Sequence, residues 1–149
     1  MSYISTDTFL DQLADAEDRL RTLQQEIRDQ HTDPQISRIL DHFQRTESFM
    51  TEVIAEMRGE KNEEATRVVE QFEPARTPAE IFEKEPQSDD AKEWVNWSLK
   101  CQQHLAEWCR HLAEKSTSPK VADLFGRLTE RLETLNRQLA TDTRSLVQK

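Results

Sequence analysis

Glycine is almost missing: two of 149 residues, Gly59 and Gly126. Loops that cradle phosphate need glycine where backbone approaches the ligand, so no nucleotide site of that kind is expected. No run of about 18 apolar residues occurs, so no membrane-spanning helix is expected. The opening "MSYISTDTFLDQ" lacks the basic start and apolar stretch of a secretory leader, and the expected location is cytoplasmic. Cysteine is scarce too. Cys101 and Cys109 lie eight apart in one predicted helix, a rise of roughly 12 Å that no disulfide spans. They read as reduced packing residues. Cys-x-x-Cys, His-Glu-x-x-His and the nucleophile elbow are all absent.

Charge is plentiful. Twenty-nine acidic residues face twenty basic ones, for a formal charge of −9. An acidic surface repels nucleic acid and anionic membrane, so neither is expected as a partner. The apolar fraction is 35% and the charged fraction 33%, a composition that also suits disorder. Periodicity decides against disorder.

Phe9, Leu10, Leu13, Ala16, Leu20, Leu23 and Ile27 form one helical stripe, predicting a first helix from about Thr6 to Gln30. It stops at "HTDP", where Asp33 suits an N-cap and Pro34 the first helical position. The second helix carries Ile39, Leu40, Phe43, Met50, Val53, Ile54 and Met57, and ends near Arg58 and Gly59. The third begins near "SDDAKEW", with Ser88 as the cap and Asp89 and Asp90 at the positive end of its dipole. Its stripe is Trp94, Trp97, Cys101, Leu105, Trp108 and Leu112. The punctuation repeats at "STSP", and the fourth helix runs from Val121 through Leu139 toward Leu146. Loops this short force antiparallel hairpins, one at about 6–58 and one at about 89–146. The polar segment 59–88 reads as a crossover along the bundle, long enough for the second and third helices to run parallel. Within it, Asn62 to Phe72 reads as a short helix, and Thr77 with Glu80 as a capping box.

The chain also matches itself when shifted by 85 residues. Leu20 meets Leu105, Ile27 meets Leu112, Thr32-Asp33-Pro34 meets Thr117-Ser118-Pro119, Phe43 meets Leu128 and Ile54 meets Leu139. Two similar hairpins about an approximate twofold are the direct reading. A chance match of two amphipathic hairpins is the alternative.

With these four helices, and most clearly in "QQHLAEWCRHLAEKSTSPKVADLFGRLTERLETL", the chain resembles the ferritin-like superfamily in its rubrerythrin-type branch. The resemblance implies an all-α, ferritin-like four-helix bundle of two antiparallel helical hairpins joined by a long crossover, here a single domain over 1–149. It also implies six inward ligands for two iron or manganese ions: a Glu on the first helix of each hairpin and a Glu-x-x-His on the second. In the 85-residue register those positions are Glu17, Glu47 and Met50, and Gln102, Leu132 and Leu135. Both histidines are replaced, Leu132 cannot bind metal, and Gln102 brings no charge. No metal is expected and no catalytic residue is assigned; any metal retained would be iron, manganese or zinc at Glu17 and Glu47.

Glu17 and Glu47 interrupt apolar stripes. Either they are remnants of a half-site held by hydrogen bonds, or they sit at stripe edges and reach water, or they keep one metal. Elsewhere, His104, Glu107, His111 and Glu114 share one side of the third helix at metal-like spacing, but on the flank of its stripe, where a solvated or interface face is the expected reading. Trp94 and Trp97 read as core, with Trp94, Trp97, His104 and His111 the candidate contact with a second subunit. His31 and His42 have no evident partner. The expected role is non-enzymatic: an interaction or structural module, as a homodimer or with another protein partner. The alternative is a metal-binding or oxidoreductase protein with a reduced mononuclear site.

Overall fold

A computed structural model describes residues 2–30, 33–58, 69–72, 82, 84–88 and 90–147. Four helices form the body: α1 (Thr6–Gln30), α2 (Pro34–Met57), α3 (Ala91–Lys115) and α4 (Pro119–Val147). The body is all-α. Beside it lies a two-stranded antiparallel ribbon, β1 (Ser2–Ser5) with β2 (Val69–Phe72), in the register Ser2 to Phe72 and Ser5 to Val69.

The helix ends follow local chemistry. The Asp33 carboxylate accepts the Gln35 N–H at 2.9 Å, and Pro34 opens α2, where its missing N–H removes no helical bond. α3 departs from expectation at its start. Its N-cap is Asp90, whose carboxylate accepts the Lys92 N–H at 3.0 Å. Ser88 lies two residues too early to reach the first free amides; its hydroxyl accepts the Asp90 N–H instead, and its carbonyl takes the Trp94 indole N–H at 2.9 Å. At the second short loop, the Ser118 hydroxyl accepts from the Val121 N–H.

α1 packs on α2 and α3 on α4, and the pairs meet through α2 with α4 and α1 with α3. Directions follow from the two ends. Phe9, early in α1, meets Trp108, late in α3, at 5.8 Å and Phe125, early in α4, at 6.3 Å. At the opposite end Ile27, late in α1, clusters with Ile36 and Leu40 at the start of α2, Val95 at the start of α3 and Leu139 late in α4. So α2 and α3 run parallel, and α1 and α4 run against them. The end of α2 and the start of α3 therefore lie at opposite ends of the bundle.

The stripes account for the core. Leu10, Leu13, Leu20, Leu40, Phe43, Leu105, Leu112, Phe125 and Leu128 are all fully buried. Each such side chain contributes about 1.5–3 kcal/mol relative to exposure. No helix among the described residues is long and apolar enough to cross a membrane.

A second local expectation fails. Val69–Phe72 is a strand, where helix was expected over Asn62 to Phe72. Its backbone groups are satisfied by the chain's first residues, more than sixty positions away, and a local reading cannot anticipate that pairing. His31, Gly59, Asn62 to Val68, Thr77, Glu80 and Asp89 lie outside the described residues.

Candidate functional site: a buried carboxyl–amide centre

Helical spacing brings polar side chains into the middle of the core. Glu17 follows Leu13 by four residues and precedes Leu20 by three, so it shares their face of α1. Gln24 comes one step further, between Leu20 and Ile27. On α2, Glu47 sits between Phe43 and Met50; on α3, Gln102 sits between Ser98 and Leu105. Their exposures are 0% for Glu17, 1% for Glu47, 2% for Gln24 and 0% for Gln102. Neither carboxylate reaches water, so an edge position is ruled out for both.

The four groups meet. The Gln102 side-chain amide donates to Glu17 Oε2 at 2.7 Å and to Glu47 Oε2 at 3.2 Å. Gln24 Nε2 donates to the same Glu47 oxygen at 2.9 Å. From α4, the Asn136 side-chain amide donates to the Gln102 backbone carbonyl at 3.0 Å, tying the bridging segment of α3 to its hairpin partner. All four helices therefore contribute. Five oxygens of these side chains remain without a hydrogen-bond partner: Glu17 Oε1, Glu47 Oε1, Gln24 Oε1, Gln102 Oε1 and Asn136 Oδ1.

Burial sets the protonation. Desolvation raises the Glu17 pKa to about 8; the Gln102 hydrogen bond opposes this, Asp18 adds to it and Arg21 opposes it. Glu47 is also pushed well above the ordinary carboxylate range, by burial first and then by the charge of Glu17, against hydrogen bonds from Gln24 and Gln102 and the charge of Arg21. Burial, with Glu17 nearby, also holds the Cys109 thiol protonated. Cys101 and Cys109 are both free and buried.

The residues do not fit a di-metal centre. Met50 and Leu132 are fully buried in one apolar cluster, and Leu135 packs partly buried against it. These three supply no hard donor for a hard cation. Gln102 turns N–H groups, not its carbonyl oxygen, toward both carboxylates. Among the described residues, no group of three or more His, Cys, Asp or Glu side chains could hold a metal ion. The centre can hold protons and hydrogen bonds, but it offers a substrate no exposed atom.

The other sequence candidates lie apart. His104 Nδ1 is 3.6 Å from Glu107 Oε2 on the flank of α3, while His111 and Glu114 are exposed. Trp97 is 5% exposed, stacks edge-to-face with Trp94 at 5.5 Å and meets Phe82 at 6.1 Å, so its ring belongs to the interior of its own chain. Trp94 is half-buried. His42, read as unpartnered, pairs through Nδ1 with Asp142 of α4. Sequence reasoning missed Gln24 and Asn136. Each left a signal, a polar residue on an apolar stripe: Gln24 between Leu20 and Ile27, Asn136 between Leu132 and Leu139.

No family model, no curated protein and no solved structure matches this chain.

Proposed function

We propose that this chain is a non-catalytic helical bundle of the ferritin-like type, acting as an interaction or structural module, whose centre is closed by side-chain hydrogen bonds in place of metal. The helix order supports the ferritin-like reading: two hairpins, with the second and third helices parallel. The observation that carries the function is the Gln102 amide, donating at once to Glu17 and Glu47 where a cation-binding site would present oxygen. Centres that do redox work on metals need an open coordination position and anionic or imidazole ligands. This centre is buried and has two carboxyl groups, and Met50 and Leu132 belong to the apolar core.

Such a module acts through its surface, as a homodimer or with another protein. The test is the metal content of protein purified without chelator, read beside its mass in solution. Iron, manganese and zinc are expected well below one per chain, and a mass twice that of the 17.5 kDa chain is expected for the homodimer. Stoichiometric metal, removed by Glu47→Ala, would replace this reading with a mononuclear metal protein.

A further inference from the structure

We propose that the Gln102 amide is a fixed stand-in for a cation: its two N–H groups occupy the position between Glu17 and Glu47 from which a metal would hold both carboxylates, and a single carboxylate at 102 would open that position to one hard divalent ion. This rests on the metal-free reading above and adds what replaced the metal.

The geometry supports it in three ways. First, one primary amide has two hydrogens, and both are spent, on Glu17 at 2.7 Å and Glu47 at 3.2 Å. The amide thereby joins α3 to both helices of the first hairpin at this level. Second, the amide nitrogen carries the positive end of a dipole without a net charge. It can sit between two buried carboxyl groups without the desolvation of an ammonium or a metal ion. Third, the position is held from behind, because Asn136 fixes the backbone carbonyl of Gln102 itself.

Glu17 Oε1, Glu47 Oε1, Gln24 Oε1 and the carbonyl of residue 102 all belong to side chains buried to 98% or more. Carboxyl and amide oxygens are hard donors, of the kind that suits manganese, magnesium or calcium better than softer ions. The amide N–H groups block that use. Exchanging the Gln102 amide for a carboxyl group removes both N–H groups and puts a third ionisable group beside Glu17 and Glu47. Burial keeps such groups protonated, and a divalent ion that displaces their protons compensates the charges together.

The experiment compares full-length parent and Gln102→Glu protein in thermal melts with EDTA or with Mn2+ as the probe. The parent should melt at the same temperature in both. Q102E should melt lower than the parent in EDTA and rise by about 5–10 °C at saturating Mn2+. Adding Glu47→Gln to Q102E should remove the rise. If Q102E fails to fold in EDTA, refolding is repeated in Mn2+: recovery only with the ion supports the inference, and failure in both overturns it. A folded Q102E indifferent to Mn2+ also overturns it, as does a rise that survives Glu47→Gln. Metal bound by the parent itself would instead sink the metal-free function, so the two failures are distinguishable.

Discussion

The end of the bundle around Phe9 and the layer around Glu17 are equally dry but differ in kind. At the end, Phe9, Trp108 and Phe125 meet edge-to-face with centroids 5.8–6.4 Å apart, and each ring is at most 6% exposed. That region stabilises by apolar area and aromatic geometry, and it tolerates any arrangement that fills the space. In the central layer, Glu17, Gln24, Glu47 and Gln102 exclude water just as completely, but each group needs a particular partner at a particular distance. The apolar end supplies free energy. The polar layer uses some of it and in return sets which faces of the two hairpins meet, because a shifted register would leave carboxylates bare.

The contrast can be broken by mutation. The largest effect is expected at the apolar end: Phe125→Ala should lower unfolding free energy by about 3–5 kcal/mol in denaturant melts, with no change in its pH dependence. A loss well below that range would mean the end is loosely packed.

The next effect belongs to the polar layer alone. The Glu17 carboxyl has an ordinary value of 4.5 when unfolded and about 8 when folded. Between these values the unfolded chain is ionised while the folded chain keeps its proton. The unfolded state then binds fewer protons, and stability falls as pH rises. Its contribution is fullest below pH 4.5, declines by up to about 1.4 kcal/mol per pH unit for one proton, and levels off above about pH 8. Glu47 shifts in the same direction and adds to the fall. Denaturant melts from pH 5 to 8 should show the decline in the parent. The Glu17→Gln, Glu47→Gln double variant should be flatter across that range. Equal slopes would mean both carboxylates are ionised in the fold.

Gln102→Leu keeps volume near its original value but removes both donors. It should destabilise by about 1–3 kcal/mol at pH 7. In the Glu17→Gln, Glu47→Gln background the penalty should shrink, because no buried carboxyl group is left without its donor. Additive effects in that cycle would show that Gln102 and the carboxyl groups do not interact energetically. The smallest effect is expected outside both regions. Asp33→Ala removes the cap of α2 and should cost about 1 kcal/mol, with amide exchange accelerating first at the start of that helix.

The two regions also differ in how readable they were. The apolar end was visible in spacing alone, since Phe9, Trp108 and Phe125 lie on stripes of period 3.6. Glu17, Glu47 and Gln102 were visible as a register: offsets of 85 and 30 picked out positions that the fold does bring within hydrogen-bond reach. Gln24 and Asn136 were not found, because a ligand pattern looks for charge and imidazole, and an amide on a stripe looks like an ordinary interruption. The Asp142 partner of His42 was hidden for a different reason: the two lie 100 positions apart on helices that touch only in the assembled bundle.

Composition, period and punctuation were enough to determine four long helices, their caps at Asp33 and Pro34, the short turns, and the apolar faces, because those depend on interactions within a few residues. Tertiary structure alone decided that Ser2–Ser5 would pair with Val69–Phe72, that Asp90 and not Ser88 would cap α3, and that one amide would lie between two carboxyl groups. The pairing and the amide bridge join residues far apart in the chain. The cap turns on a boundary of one or two residues, finer than periodicity resolves. The packing that brings distant groups together in a water-free interior is what obliges them to find one another.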